Sequence, residues 1–149
     1  MDKNAELLLA GRTRRWHTIA GLDQDTAAHS WGVAVLMLLN EPNVSFEAIK
    51  AALLHDLHEH WSGDTPSPAK DEDTRRSEER IQARIKKHFG INWEMDWADH
   101  AMLRKYDAME ALYFIKSEDV AAERRYEAAE RLRMAIYGGR QLPLGLGEE

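Results

Sequence analysis

Apolar residues are spaced along this chain in a helical pattern almost throughout. They recur every three or four positions in nearly every long segment, and no segment shows the sustained alternation of a half-buried strand. The pattern therefore predicts an all-α bundle of about six helices that forms one domain. The predicted helices span residues 3–14, 26–40, 45–60, 74–89, 93–117 and 118–137, followed by a tail at 138–149.

Residues that start or stop helices support these boundaries. Pro42 and Asn43 should end the second helix, Ser45 is a suitable N-cap for the third, and Gly90 suits the left-handed end of the fourth. Between the third and fourth helices, the segment 61–73 contains two prolines and a glycine, which disfavour regular helix. We therefore predict a loop there, with polar side chains available to a ligand.

Bulk composition is that of an ordinary soluble domain. The 149 residues are 44% hydrophobic and 31% charged, and no apolar run approaches the roughly 18 residues of a membrane span. A net charge of -6 argues against binding polymeric nucleic acid. The absence of cysteine excludes disulfides and thiolate metal sites, and the start of the chain lacks a secretion signal. We expect a cytoplasmic protein, either in its own cell or in an infected host.

Four polar side chains interrupt predicted apolar helix faces, namely His29, His55, Asp56 and Asp107. Taken singly, each has a plain explanation, since an inward histidine is commonly a hydrogen-bonded core residue and a buried aspartate often pairs with arginine. Burying all four without partners would be costly, whereas one divalent cation would satisfy them together. The set therefore predicts a metal site.

The donors also restrict the metal and the class of enzyme. Two nitrogen and two oxygen donors favour Co, Mn or Zn, with Fe and Mg as less favoured alternatives. His58-Glu59 is followed by His60-Trp61, which does not match the H-E-x-x-H zinc signature and disfavours a metalloprotease. His58 and His60 are expected at the surface or at a pocket rim, and His88 is expected to be solvated.

A short basic and aromatic segment precedes the first of these histidines. In Thr13-Arg14-Arg15-Trp16, arginine offers a planar fork that matches phosphate, and the indole offers a flat wall for a sugar or base. Alone, this segment is most simply a basic helix end with one buried tryptophan. Together with the metal residues, it suggests a nucleotide ligand.

Five motifs occur in order: Arg15-Trp16, Ala28-His29-Ser30, His55-Asp56-x-x-Glu59, Gly63-Asp64-Thr65-Pro66-Ser67-Pro68-x-Lys70 and Lys105-x-Asp107-Ala108. With these motifs, residues 12–118 resemble the HD-domain metal-dependent phosphohydrolases, specifically the 5'-deoxynucleotidase branch and related phage dATP and dNTP triphosphohydrolases. Ala28 departs from that branch, where glutamate is common, and leaves the substrate open. The chain is also shorter than cellular deoxynucleotidases, as a phage enzyme would be.

The resemblance implies a compact HD-domain bundle and a catalytic metal centre. It assigns the metal to His29, His55, Asp56 and Asp107, and it gives Glu59 the role of orienting or deprotonating the attacking water. It also implies a homo-oligomer that acts on a small deoxynucleotide.

The same resemblance implies a set of substrate contacts. Arg15 would grip phosphate, Trp16 would pack on the sugar and disfavour a 2'-hydroxyl, and Asp64 would act near the leaving group or ribose. Thr65 and Lys70 are weaker candidates for phosphate contact.

Two other functions remain open from sequence. A di-iron HD-type oxygenase would need further histidine ligands, for which His58, His60 or His100 would have to serve. A non-catalytic nucleotide sensor would bind deoxynucleotide without releasing phosphate or triphosphate. Within the hydrolase interpretation, a monophosphate and a triphosphate substrate both remain open.

Overall fold

The computed structural model describes residues 2–15, 22–63, 70–117, 130 and 134, and the architecture there is almost entirely helical. The helices in these ranges are α1 Lys3–Ala10, α2 Thr26–Asn40, α3 Phe46–Leu54, α4 Glu59–Ser62, α5 Glu72–Phe89 and α6 Trp97–Ser117. The predicted all-α class is confirmed. Most of the predicted helix 118–137 and all of the tail lie outside the described residues.

Three predicted helix boundaries agree with the structure, and each is explained by the residues at the boundary itself. α2 ends at Asn40, immediately before the turn at Pro42 and Asn43. Ser45 caps α3, and its side chain accepts a hydrogen bond from a backbone N–H at 2.9 Å. Gly90 closes α5 with φ 68°, a left-handed conformation that glycine adopts without strain.

The prediction of one continuous helix over 45–60 is wrong. A tight turn at 55–58 separates α3 from α4. In a continuous helix, the carbonyl oxygen of His55 would accept the N–H of Glu59, but here it accepts a hydrogen bond from Gln82 Nε2 at 2.9 Å. The helix therefore breaks at the point where the side chain of Gln82 on α5 takes the place of the backbone N–H of Glu59 as the donor to this carbonyl oxygen.

The first predicted helix is also shorter than expected, ending at Ala10 instead of residue 14. Two short strands follow, β1 Arg14–Arg15 and β2 Gln24–Asp25, which pair antiparallel. A two-residue strand is too short to show an alternating pattern, so sequence periodicity did not reveal it. The pairing places Arg15 on extended backbone, opposite the residue that precedes the N-cap of α2.

The core lies where α2 packs against α3 and α6. Alanines on the inner face of α3 let the helices approach closely, and the aromatic rings of Trp93 and Tyr106 fill the remaining space. The buried members of this cluster are Val33, Ala34, Met37, Ala48, Ala51, Ala52, Trp93, Leu103 and Tyr106. His29 on α2 and Asp107 on α6 therefore lie at the edge of a packed interior. None of the described helices is both long and apolar enough to cross a membrane.

Candidate metal centre

Three of the predicted ligands meet in one place. His29 and His55 each bring a ring nitrogen, and Asp56 a carboxylate oxygen, to within 4.8 Å of one another. His29 comes from α2 and is 0% exposed, whereas His55 and Asp56 come from the turn that interrupts the helix. This cluster could hold a divalent cation.

The fourth predicted ligand approaches from α6. Asp107 Oδ1 lies 3.1 Å from His29 Nε2, and its side chain is 30% exposed. The same ring nitrogen is 3.5 Å from Asp56 Oδ2. The structure thus brings Asp56 and Asp107 to His29 Nε2, with His55 in the same three-residue cluster and the open side at Asp107, while the role of all four as ligands stays a prediction.

The hydrogen bonding of His55 suits a metal ligand. Its Nδ1 lies 2.9 Å from the carbonyl oxygen of Ala52, which can only accept, so Nδ1 donates this hydrogen bond and Nε2 is the nitrogen left to face a metal. That Nε2 is buried, has no hydrogen-bond partner in the described part of the chain, and lies 3.3 Å from Asp56 Oδ2. A divalent cation between this buried nitrogen and the carboxylate oxygen would satisfy both, so the donors fit a metal ion.

Electrostatics make His29 an unusually strong base. Burial by itself lowers its pKa, but the carboxylates of Asp107 and Glu110 on either side of the ring outweigh burial and raise the pKa to about 9. In the absence of a metal, the ring is therefore protonated near neutral pH. A proton and a cation would compete for the same nitrogen.

The pKa values of the two aspartates are lowered, whereas that of His29 is raised. Burial favours the neutral form of Asp56, but the charges of His55, Arg15 and His29 outweigh it and hold the pKa of the carboxyl well below its usual range. Burial of Asp107 is likewise outweighed by His29 and His55, so its pKa is also lowered. Both side chains are thus anionic donors at neutral pH.

Glu59 lies beside this cluster, and its neighbours include Thr26 and Arg15. It is 3% exposed, accepts a hydrogen bond from Thr26 Oγ1 at 3.3 Å, and lies 3.5 Å from Arg15 Nη1. Arg15 also forms an ion pair with Asp56. The predicted phosphate-binding arginine and the predicted general base are therefore neighbours at the cluster.

Lys70 forms an ion pair with a carboxylate of α5, and its predicted phosphate contact stays a prediction. Its Nζ lies 2.9 Å from Glu78 Oε1, and the same oxygen lies 3.7 Å from His58 Nε2. His58 is 6% exposed, so it does not lie at the surface, which was one of its two expected positions beside a pocket rim. Its buried Nδ1 is satisfied within the turn, where it donates to the His55 carbonyl oxygen at 3.0 Å.

The remaining predicted positions divide into two groups. His60 and His88 are exposed, as expected. The substrate candidates Trp16, Asp64 and Thr65 lie outside the described residues. Their proposed contacts therefore rest on the sequence motifs alone.

One residue at the cluster was missed by sequence reasoning. Glu110 pairs with His29 Nδ1 through one carboxylate oxygen and accepts a hydrogen bond from Gln24 Nε2 at 2.7 Å through the other. It lies one helical turn after Asp107, on the same face of α6. That spacing was the available signal, because a second acid on a predicted inward face also needs a partner.

Comparison with known proteins adds a family and a fold. A family model described as HD domain matches residues 12–132, which is most of the chain. The structure of the HD phosphohydrolase DatZ of cyanophage S-2L, bound to dA and one catalytic Zn²⁺ ion, is similar to this one with a TM-score of 0.74 and 22% sequence identity. The match covers 91% of this chain and 83% of that chain, and at this identity the likeness concerns the fold. No curated protein matches the sequence significantly.

Proposed function

This chain belongs to the HD domain family, and we propose that it is a metal-dependent phosphohydrolase that acts on deoxynucleotides. The observation that carries the proposal is the meeting of His29, His55 and Asp56 within 4.8 Å, with the buried carboxylate of Glu59 and the guanidinium of Arg15 beside them. Support also comes from the similar fold of DatZ, a phosphohydrolase bound to dA and zinc.

Four residues would hold the metal, namely His29, His55, Asp56 and Asp107. Their nitrogen and oxygen donors fit Zn, Co or Mn better than Mg, which prefers a shell richer in oxygen. A divalent ion there would supply Lewis acidity, which lowers the pKa of water and neutralises charge on a phosphoryl oxygen.

Glu59 would take the proton of the attacking water. Its carboxylate is fixed by Thr26 Oγ1 at 3.3 Å and by the nearby guanidinium of Arg15. A buried and oriented carboxylate loses little entropy when it accepts a proton from a water molecule beside it. Glu59 therefore acts as the general base in the proposed reaction.

Arg15 would bind the phosphoryl group as it approaches the cluster. Its side chain is only 10% exposed, and its charge balances those of Asp56 and Glu59 until a substrate phosphate and a cation rearrange these pairings. The family resemblance adds Trp16 against the sugar and Asp64 near the leaving group or ribose.

Two weaker phosphate contacts complete the proposed substrate site. Thr65 and Lys70 would reach more distant phosphoryl oxygens. Lys70 would first exchange its ion pair with Glu78 for the substrate, since its Nζ lies 2.9 Å from that carboxylate. A contribution from Lys70 is therefore expected to matter more for a triphosphate than for a monophosphate.

The same residues could hydrolyse either of two substrates, a deoxynucleoside monophosphate or a deoxynucleoside triphosphate. Water attacks the α-phosphorus and the bond from phosphorus to the 5'-oxygen breaks, so the nucleoside leaves with that oxygen, which takes up the proton given up by the water. A dNMP is thereby converted to deoxynucleoside plus phosphate, and a dNTP such as dATP to deoxynucleoside plus triphosphate. Both reactions use the same cluster, Glu59 and Arg15. The product distinguishes them directly.

The decisive experiment is a product assay on protein stripped of metal and then loaded with Zn, Co, Mn or Mg. Deoxy- and ribonucleoside mono- and triphosphates are supplied, and released phosphate, triphosphate and nucleoside are quantified. We expect metal-dependent release from deoxynucleotides that Glu59→Gln slows strongly. Deoxynucleotide binding without any release would instead establish a sensor, and oxygen uptake with iron would establish an oxygenase. Among the described residues, no second metal-binding cluster includes His58, His60 or His100.

A further inference from the structure

A buried carboxylate that has no part in the proposed chemistry lies directly behind the metal cluster. Glu110 on α6 is 9% exposed and lies on the side of His29 opposite Asp107. Its two oxygens are both used, one by His29 Nδ1 and the other by Gln24 Nε2. Such a charge is costly to bury unless its position serves another group.

The neighbouring helix leaves space for this side chain. A Cβ atom added at Gly32 of α2 would lie 2.8 Å from Glu110 Cγ and 3.1 Å from Glu110 Oε1, both closer than ordinary contact. A helix with glycine in its interior is less stable than one with alanine, so Gly32 lowers the stability of α2. The space gained is filled by Glu110.

We infer that Glu110 is a positioning residue that determines which nitrogen of His29 faces the metal, and that Gly32 provides the room it needs. A carboxylate only accepts hydrogen bonds, so His29 Nδ1 donates to it, and Nε2, which faces Asp56 and Asp107, is the nitrogen that a metal would bind in place of a proton. This inference rests on the proposed function, because it concerns the same metal centre.

Gln24 completes the arrangement from the short sheet. Its side-chain amide donates to the second carboxylate oxygen at 2.7 Å, which fixes the plane of the carboxylate toward the histidine. Gln24 belongs to β2 and pairs with Arg15 in the two-stranded sheet. The residue that orients the metal ligand is thus held by the same two-stranded sheet that carries the proposed phosphate-binding arginine.

The test measures metal affinity instead of turnover. Zinc dissociation constants are obtained by competition with a chelator for the wild type, Glu110→Gln, Glu110→Ala, Gly32→Ala and the double variant. Loss of such an outer partner typically weakens a metal site by about 10- to 100-fold. We expect Glu110→Ala to fall in that range and Glu110→Gln, which retains one acceptor oxygen, to fall between it and the wild type.

Gly32→Ala provides the sharper comparison. If Gly32 matters only as room for Glu110, the added methyl group should weaken zinc binding in the wild type but leave it unchanged in the Glu110→Ala background. It should also raise the thermal stability of that background, since alanine favours helix more than glycine does. Glu79→Gln on the exposed surface of α5 serves as the matched charge control.

A spectroscopic measurement separates positioning from a general loss of structure. In the zinc-loaded wild type, the His29 Nδ1 proton should give a slowly exchanging, strongly downfield proton resonance, which Glu110→Ala should lose and Glu110→Gln should retain. If wild type and all Glu110 variants bind zinc equally, the inference is overturned while the metal centre stands. If the wild type binds neither zinc nor cobalt, the proposed function fails as well.

Discussion

Removing metal from this protein should make its stability depend strongly on pH, through one buried histidine. His29 is 0% exposed, and the carboxylates around it raise its pKa to about 9. An unfolded chain would restore the ordinary value near 6.5. The folded, metal-free state therefore binds a proton that the unfolded state releases between these two pH values.

The sign and size follow from this difference. One pKa unit corresponds to about 1.4 kcal/mol, so a pKa of about 9 in place of 6.5 contributes about 3 kcal/mol to the free energy of unfolding. The contribution is complete below about pH 6.5 and is lost as pH rises through about 9. Metal-free protein should thus become less stable across this alkaline range.

Urea denaturation in the presence of a strong chelator, repeated from about pH 6 to about pH 9.5, measures this directly. His29→Gln should flatten the dependence, whereas His100→Gln, which alters an exposed histidine, should preserve it. A flat profile in the wild type, or an equally steep one in His29→Gln, would refute the reasoning. Metal-loaded protein should show the opposite trend at low pH, because protons then displace the ion.

Three further predictions concern the centre. Asp107→Ala should abolish activity with loss of metal, and full metal content by elemental analysis would remove Asp107 from the ligand set. Glu59→Gln should keep metal and nucleotide bound while lowering kcat by about 10²- to 10⁴-fold, and a near-normal rate would deny it the role of base. Arg15→Lys should raise KM for deoxynucleotides more than it lowers metal affinity, measured by steady-state kinetics beside chelator competition, because lysine lacks the planar fork. An unchanged KM would place the phosphate elsewhere.

The sequence was most informative where contacts are local. The inward face of α2 repeats every three or four residues, so the positions of His29 and Val33 followed from spacing. The N-cap at Ser45 and the left-handed end at Gly90 depend only on the residues themselves and their immediate neighbours. Local chemistry was sufficient for each of these features.

Two features that depend on distant partners were not predicted. At the helix break at 55–58, Gln82 donates to the His55 carbonyl oxygen from another helix, a contact that local sequence does not reveal. Glu110 was overlooked because its partner His29 lies on a different helix, far away in the sequence. Periodicity identifies which face is buried, but it does not identify the residue across the interface.

The break after α3 has a consequence for how the protein would respond to loss of its ion. The ligand candidates come from α2, the turn at 55–58 and α6, which are remote in sequence and joined by no disulfide. A bound cation would therefore act as a reversible cross-link that closes two long loops of the chain. Removing the ion with a chelator should loosen this cross-link, so the rate of proteolytic cleavage near the turn at 55–58 should rise when the ion is lost.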